Sequence, residues 1–245
     1  MRRILLILVL VSIVSACGGG EPEDPILRLS AKEAMETGRA LMENGKFGQA
    51  REYFQHAFEV EPNSAVGREA LLLVADALFQ QGGSQNFVKA EAKYRDFQNR
   101  FPTSSRSDYV QFQIAASLEK RVRPPDRDQS IARKALEAFE DVIRVFPTSQ
   151  YAALSQERIV AVRQRLAESE FLKGRFNQKL RLHQAAINRF EGLLEEFPDF
   201  AETDKVLFYL IEAFEALQQE DKAAEARERL TEEFPQSTYV HQKSG

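Results

Sequence analysis

Residues 186–198 read AINRFEGLLEEFP, and their spacing decides the fold. Ala186, Phe190 and Leu193 fall at i, i+4 and i+7, one apolar stripe of a helix, and Phe197-Pro198 closes it. Proline has no N–H to donate, and its ring keeps the preceding residue out of helical geometry, so a helix stops there. The same frame recurs along the chain. Pro62, Pro102, Pro147 and Pro235 each have an alanine 12 residues upstream, at Ala50, Ala90, Ala135 and Ala223. Four residues after those alanines come Phe54, Tyr94, Phe139 and, breaking the rule, Arg227. Seven after come Ala57, Phe97, Val142 and Leu230.

Small residue, aromatic and proline in this order resemble the second helix of a tetratricopeptide repeat. The first repeat fits the whole frame of that family: counted from Ala31, Gly38 stands at position 8, Gly45 at 15, Ala50 at 20, Phe54 at 24 and Pro62 at 32. Small residues let paired helices approach, and the aromatic fills the space between pairs. Five such repeats exceed the roughly three needed to bury a continuous core. The prolines are 40, 45, 51 and 37 residues apart. Because the alanine-to-proline distance is fixed, the excess over a regular period is expected in the first helix or the turn after it, never in the second helix. The turn of repeat two is expected at Gly82 to Asn86, and that of repeat three at Arg121 to Gln129. No Pro or Gly falls between Pro147 and Gly174. Ser149 to Lys173 is therefore expected to form one helix of ~37 Å that stands out of the stack. The expected fold is all-α: a right-handed superhelical solenoid of five tetratricopeptide-like helix pairs with a long first helix in repeat four. Residues 27–147 hold repeats one to three and residues 148–245 hold repeats four and five.

The N-terminus carries a different signal. Arg2 and Arg3 precede an apolar run, Ile4 to Val14, that is too short to cross a hydrocarbon core needing about 20 residues. Basic flank, short apolar core and small Ser15-Ala16 have the layout of a secretory signal peptide over residues 1–16. The chain's one cysteine, Cys17, follows directly. Val-Ser-Ala-Cys resembles the bacterial lipobox, which implies an S-diacylglycerol and an N-acyl chain on Cys17 after cleavage. Each buried acyl CH₂ contributes ~0.8 kcal/mol, so several chains anchor stably without a transmembrane helix. Residues 17–26, rich in glycine, proline and acid, read as a lipidated flexible tether. Gly18 rather than Asp after the cysteine favours the outer membrane over the inner. Loss of residues 1–16 leaves 31 basic and 37 acidic side chains, a net charge near −6, which is no surface for nucleic acid.

Catalytic chemistry is not indicated. His56, His183 and His241 lie far apart with no metal-ligand spacing, so no metal or soluble cofactor is expected. His56 reads as a surface or edge histidine. The pairs Glu195-Glu196 and Glu232-Glu233 precede Phe-Pro stops and read as solvated helix ends.

Several segments resemble the BamD family, lipoproteins of outer-membrane β-barrel assembly. They are Ser107-Asp108-Tyr109-Val110 (D-Y-V), Asp126-Arg127-Asp128-Gln129 (D-R-D), and Pro147-Thr148-Ser149-Gln150-Tyr151 (P-x-S-x-Y). To these add Arg165 to Glu170 (R-L-A-x-x-E) and Asn188-Arg189-Phe190-Glu191-Gly192 (N-R-x-E-G). The resemblance implies an adaptor at the periplasmic face of the outer membrane. Its C-terminal repeats would bind a POTRA domain of a BamA-type barrel protein, and its N-terminal repeats would receive unfolded outer-membrane proteins, with other Bam lipoproteins as partners. On it, Arg189 and Glu191 are the residues expected to couple to BamA, with an ion pair inside the repeat as their structural alternative. Lys32, Met35, Arg39 and Met42 share one face of the first helix and are candidates for a peptide-binding groove; packing of the two methionines against the next helix is the alternative. Ala75 to Phe79 departs from the family's aromatic Y-A-Y-Y stretch. Another repeat lipoprotein scaffold, such as a type IV pilus pilotin or a peptidoglycan-associated coordinator, would share the architecture.

Overall fold

A computed structural model describes residues 24–242; the signal peptide, Cys17 and most of the tether lie outside the described residues. Asp24 opens a short 3-10 turn, Pro25–Arg28, by accepting from the Ile26 N–H at 3.0 Å. Eleven α-helices follow among the described residues: α1 Ala31–Glu43, α2 Phe47–Val60, α3 Ala65–Gln81, α4 Ser84–Arg100, α5 Ser107–Glu119, α6 Ser130–Val145, α7 Gln150–Lys179, α8 His183–Glu196, α9 Thr203–Ala216, α10 Glu220–Glu233 and α11 Thr238–Gln242. Each packs on its neighbours in the chain, so α1 to α10 form five antiparallel pairs stacked as a helical solenoid.

The alanine-to-proline frame accounts for the core. All five frame alanines, the aromatics Phe54, Tyr94, Phe139 and Phe190, and the residues seven positions on are buried. Helices α2, α4, α6, α8 and α10 end two residues before a proline. The intervening residue, Glu61 or a phenylalanine, leaves helical geometry at φ between −135° and −127° with ψ between 54° and 65°. Arg227, the exception to the aromatic rule, reaches back to Glu215 of α9 at 2.7 Å instead. Ser30 starts α1 with a capping box to Glu33, and hydrogen bonds from Ser30 hold that carboxyl below the usual range.

Four expectations change. Ser84 to Asn86 form the first turn of α4, not loop, so part of the excess does lie in a second helix; Gly82 and Gly83, at φ 71° and 84°, make the whole turn. The long helix passes through Gly174 and runs to Lys179, 30 residues in all. Gly174 does not stop it, because a side chain there would meet the Phe190 ring at 2.4 Å. Gly38 stands in the same relation to Phe54, at 2.5 Å. Third, α7 lies within the stack rather than out of it: its buried stripe runs from Ala152 to Gly174 and it touches α5, α6, α8 and α9. Last, His56 is buried, with Nε2 2.9 Å from the Leu29 carbonyl oxygen, and pins the lead-in segment to α2.

A polar knot sits at the junction of repeats two and three. The hydroxyls of Tyr94 and Tyr109 both donate to Asp76 Oδ1, each at 2.6 Å, and Gln113 Nε2 donates to Tyr109 Oη at 2.8 Å. Burial pushes the Asp76 carboxyl above its ordinary range, opposed by the two tyrosine hydrogen bonds. Asp76 lies within the stretch that departs from the family's aromatic pattern, so here the aromatic rings come from α4 and α5 and meet on a carboxylate of α3.

Candidate functional site

The motifs noted in the sequence meet in pairs. Ser149 of P-x-S-x-Y donates to Asp108 Oδ2 of D-Y-V at 2.6 Å, and the Tyr151 ring lies 5.6 Å from Tyr109. Repeat five closes the same way, Ser237 donating to Asp204 Oδ2 at 2.6 Å. In the D-R-D turn, Asp128 accepts from the Ser130 backbone and hydroxyl, and Gln129 Nε2 donates to the Pro124 carbonyl at 2.7 Å. These bonds give a ten-residue connection between α5 and α6 one defined shape.

Arg189 sits on α8, and its Nη1 donates to Glu170 Oε2 of α7 at 3.0 Å. Glu170 is the last residue of R-L-A-x-x-E, so the two motifs are the halves of one ion pair. The carboxylate is largely buried, with its side chain 11% exposed, and also receives Lys173 Nζ at 2.7 Å; Arg133 of α6 stands 3.8 Å away. Arg133 in turn bonds Glu196 at 2.8 Å. Three helices are thus knitted by one buried acid. Arg189 and Lys173 remain about half exposed, so each keeps donors free for a partner. They border a cavity of about 420 Å³ with Arg127 and Asp126 of the D-R-D turn on one side and Leu172 and Phe176 on the other. Phe176 is 63% exposed and forms with Leu172 an apolar stripe on α7, and exposed Leu180 and Leu182 follow it in the turn to α8.

Glu191 is not brought to Arg189. Two positions apart on α8, the two point to opposite flanks. Glu191 borders a second cavity, of about 450 Å³, formed with α9 and α10. At the other end of the chain the four groove candidates divide. Met35 is in the core and Met42 packs partly buried against it, Arg39 pairs with Glu69 of α3 at 2.7 Å, and Lys32 is exposed beside Glu36. Among the described residues, no group of three His, Cys, Asp or Glu is placed to hold a metal ion, and no helix is long and apolar enough to cross a membrane.

Sequence reasoning missed Glu170 as the partner of Arg189, since no helical period links residues nineteen apart on different helices. It also passed over the exposed apolar residues Leu172, Phe176 and Leu180, whose signal was present as a spacing of four.

Residues 28–230 match the family described as outer membrane lipoprotein, YfiO. The chain belongs to that family. Among YfiO relatives, the outer membrane protein assembly factor BamD of Rickettsia prowazekii is 29% identical over 202 residues, spanning 82% of this chain and 79% of that protein. The protein of the same name from Pasteurella multocida is 28% identical over 222 residues, covering 86% and 83%. Among solved structures, the yeast Sti1 TPR2AB domain in complex with an Hsp90 peptide is 13% identical, with a TM-score of 0.46 over 86% of this chain and 80% of that one. The YfiO match covers both ion-pair motifs, all of α1 to α9 and α10 as far as Leu230.

Proposed function

We propose that the protein is a lipid-anchored adaptor in the assembly of outer-membrane β-barrel proteins. The observation that carries this reading is the match of residues 28–230 to an outer membrane lipoprotein family whose relatives are named assembly factors. The work is binding, not catalysis. Acyl chains on Cys17 hold the chain to the periplasmic face of the outer membrane, and the solenoid projects from the tether. The flank of α8 that carries Arg189, with the apolar stripe of α7 beside it, docks a POTRA domain of a BamA-type barrel protein. A half-exposed guanidinium next to exposed Phe176 suits a partner patch that joins a carboxylate to apolar side chains. Glu191 contributes from the other flank of α8. Unfolded outer-membrane proteins are received by the N-terminal repeats, where Lys32 and Arg39 supply surface cations while Met35 stays in the core. Other Bam lipoproteins complete the complex.

The decisive experiment is capture of the periplasmic region of the BamA-type protein by the mature chain. Arg189→Leu is expected to weaken capture, and absence of capture at both low and moderate salt would overturn the reading. Labelled palmitate should enter the native protein and be lost in Cys17→Ala; equal labelling of the two would remove the anchor from it.

A further inference from the structure

The cavity beside Glu191 has an apolar floor of Leu207, Leu210 and Phe214 from α9 and an acidic rim of Glu191 and Glu195 from α8 and Glu225 from α10. Among the described residues none of the three rim carboxylates has a hydrogen-bond or ion-pair partner. The two cations at the rim pair with none of these carboxylates, and Lys222 stays within the cavity, over its floor. Lys222 Nζ lies over the Phe214 ring, 5.6 Å from its centroid, and Arg229 bonds Glu233 at 2.7 Å.

The solenoid supplies its own comparison. A cavity of about 580 Å³ occupies the equivalent place between α4, α5 and α6, again a second helix, the next first helix and its partner. There Glu91, one of three rim carboxylates, is held between Arg95 at 3.0 Å and Arg121 at 2.6 Å and Asp141 pairs with Arg144, while Glu137 is unpaired among the described residues. At α8, α9 and α10 the rim cations Lys222 and Arg229 form no such pair with Glu191, Glu195 or Glu225.

We propose that this C-terminal cavity is the docking site for a basic, amphipathic segment of a partner protein. Lys or Arg head groups meet Glu191, Glu195 and Glu225, while their methylene stems and apolar neighbours cover Leu207, Leu210 and Phe214. A carboxylate beside a low-dielectric floor attracts a cation more strongly than one in open water. Acidic segments and nucleic acid are repelled by the same rim. The inference rests on the adaptor reading only for the existence of a partner; the partner's chemistry comes from the cavity. It also gives α8 a cationic flank at Arg189 and an acidic flank at Glu191, so a partner carrying both charges can seat in one orientation only.

The test uses the whole mature chain, residues 17–245, with Cys17→Ser to keep lipid off. Fluorescence anisotropy follows a labelled Lys/Leu amphipathic peptide and its Glu/Leu counterpart. The Lys/Leu peptide should bind in a salt-sensitive way, and combined Glu191→Gln, Glu195→Gln and Glu225→Gln should weaken it about tenfold, each exposed pair contributing a few-fold. Combined Glu36→Gln, Glu43→Gln and Glu59→Gln on repeat one make the same charge change and should leave binding within about twofold. A photo-crosslinker on Leu194→Cys, the one thiol then present, should trap the basic peptide. Equal weakening by the two triple variants, equal binding of the Glu/Leu peptide, or a concentration-dependent dimer abolished by the rim variant would each overturn the proposal. POTRA capture is scored on the same variants. Intact capture with peptide binding indifferent to the rim refutes this site alone, whereas loss of capture in the unmutated chain refutes the adaptor reading.

Discussion

Gly174→Ala puts the helix-packing argument at risk in one substitution. In the middle of a helix, alanine is favoured over glycine by about 1 kcal/mol. Against that gain stands the Phe190 ring, fully buried, whose edge would lie 2.4 Å from the new methyl. Relieving such an overlap in a packed core costs about 1–3 kcal/mol, because ring and helix must both shift. Gly174→Ala is therefore expected to lower stability by up to about 2 kcal/mol. Gly192→Ala is the matched control: it too is in a helix interior, on α8, and a methyl there meets nothing within 4 Å. That change should raise stability by up to about 1 kcal/mol. Urea unfolding of the mature chain, followed by circular dichroism, compares the midpoints; in melting temperature each kcal/mol corresponds to about 2–4 °C at this size. Calorimetry alongside checks whether a repeat protein unfolds in one step. In the Gly174→Ala background, Phe190→Leu should cost less than it does alone, the mark of a direct clash. If Gly174→Ala stabilises as much as Gly192→Ala, close approach of α7 and α8 is not what selects glycine, and the account of the long helix fails.

At the tyrosine knot, Asp76→Ala should cost about 2–4 kcal/mol by stranding two hydroxyls, while Asp76→Asn keeps an acceptor and should cost much less. Since the folded Asp76 pKa is raised, the native chain holds a proton that the unfolded chain releases from about pH 4 upward. Its contribution to stability therefore falls as pH rises through that window, and Asp76→Asn should flatten this part of the pH–stability curve. Glu170→Gln removes the buried charge shared by Lys173 and Arg189 and should cost about 1–2 kcal/mol in urea melts, less than a fully buried pair because both cations can rehydrate. Arg181 and Gln218 occupy left-handed geometry at φ 60° and 59°, in the turn position that Gly45 fills at 69° in repeat one. Arg181→Gly and Gln218→Gly should each change the melting free energy by no more than about 1 kcal/mol, relief of strain offsetting the freer unfolded chain.

What was legible in the sequence is what helix periodicity makes local. An alanine, an aromatic and a proline at fixed offsets report one helix's buried face and its stop, and every frame alanine is where that rule puts it. Contacts between helices were not legible. Gly174 read as a stop because glycine is a poor helix former; its reason for being helical is a ring 16 residues away on the next helix. His56 read as an edge residue because its acceptor is a backbone carbonyl of the lead-in segment, which no side-chain pattern records. Ser84 to Asn86 read as loop because Gly82-Gly83 precede them, although those two glycines turn the chain unaided. The site was half visible. Arg189 and Glu191 were found together in a motif, but their assignment to opposite flanks follows from α7 and α9 packing on either side of α8.

A solenoid built only from nearest-neighbour contacts opens like a zipper, one repeat at a time. α7 removes that freedom in the middle of this chain. Ile159 belongs to the same apolar cluster as Phe139 of repeat three, while Val162 and Leu166, one turn further on, belong to the cluster of Phe190 and Phe214. One splint of about 45 Å thus serves two cores, and neither can melt without unseating its half of the rod. Amide exchange should find α5 to α8 opening as a single block. The rod's C-terminal end carries Glu170, Lys173 and Phe176, and its N-terminal end rests through Tyr151 on Tyr109 and Phe112. A protein that grips the outer end therefore holds a lever whose other arm lies under repeat three.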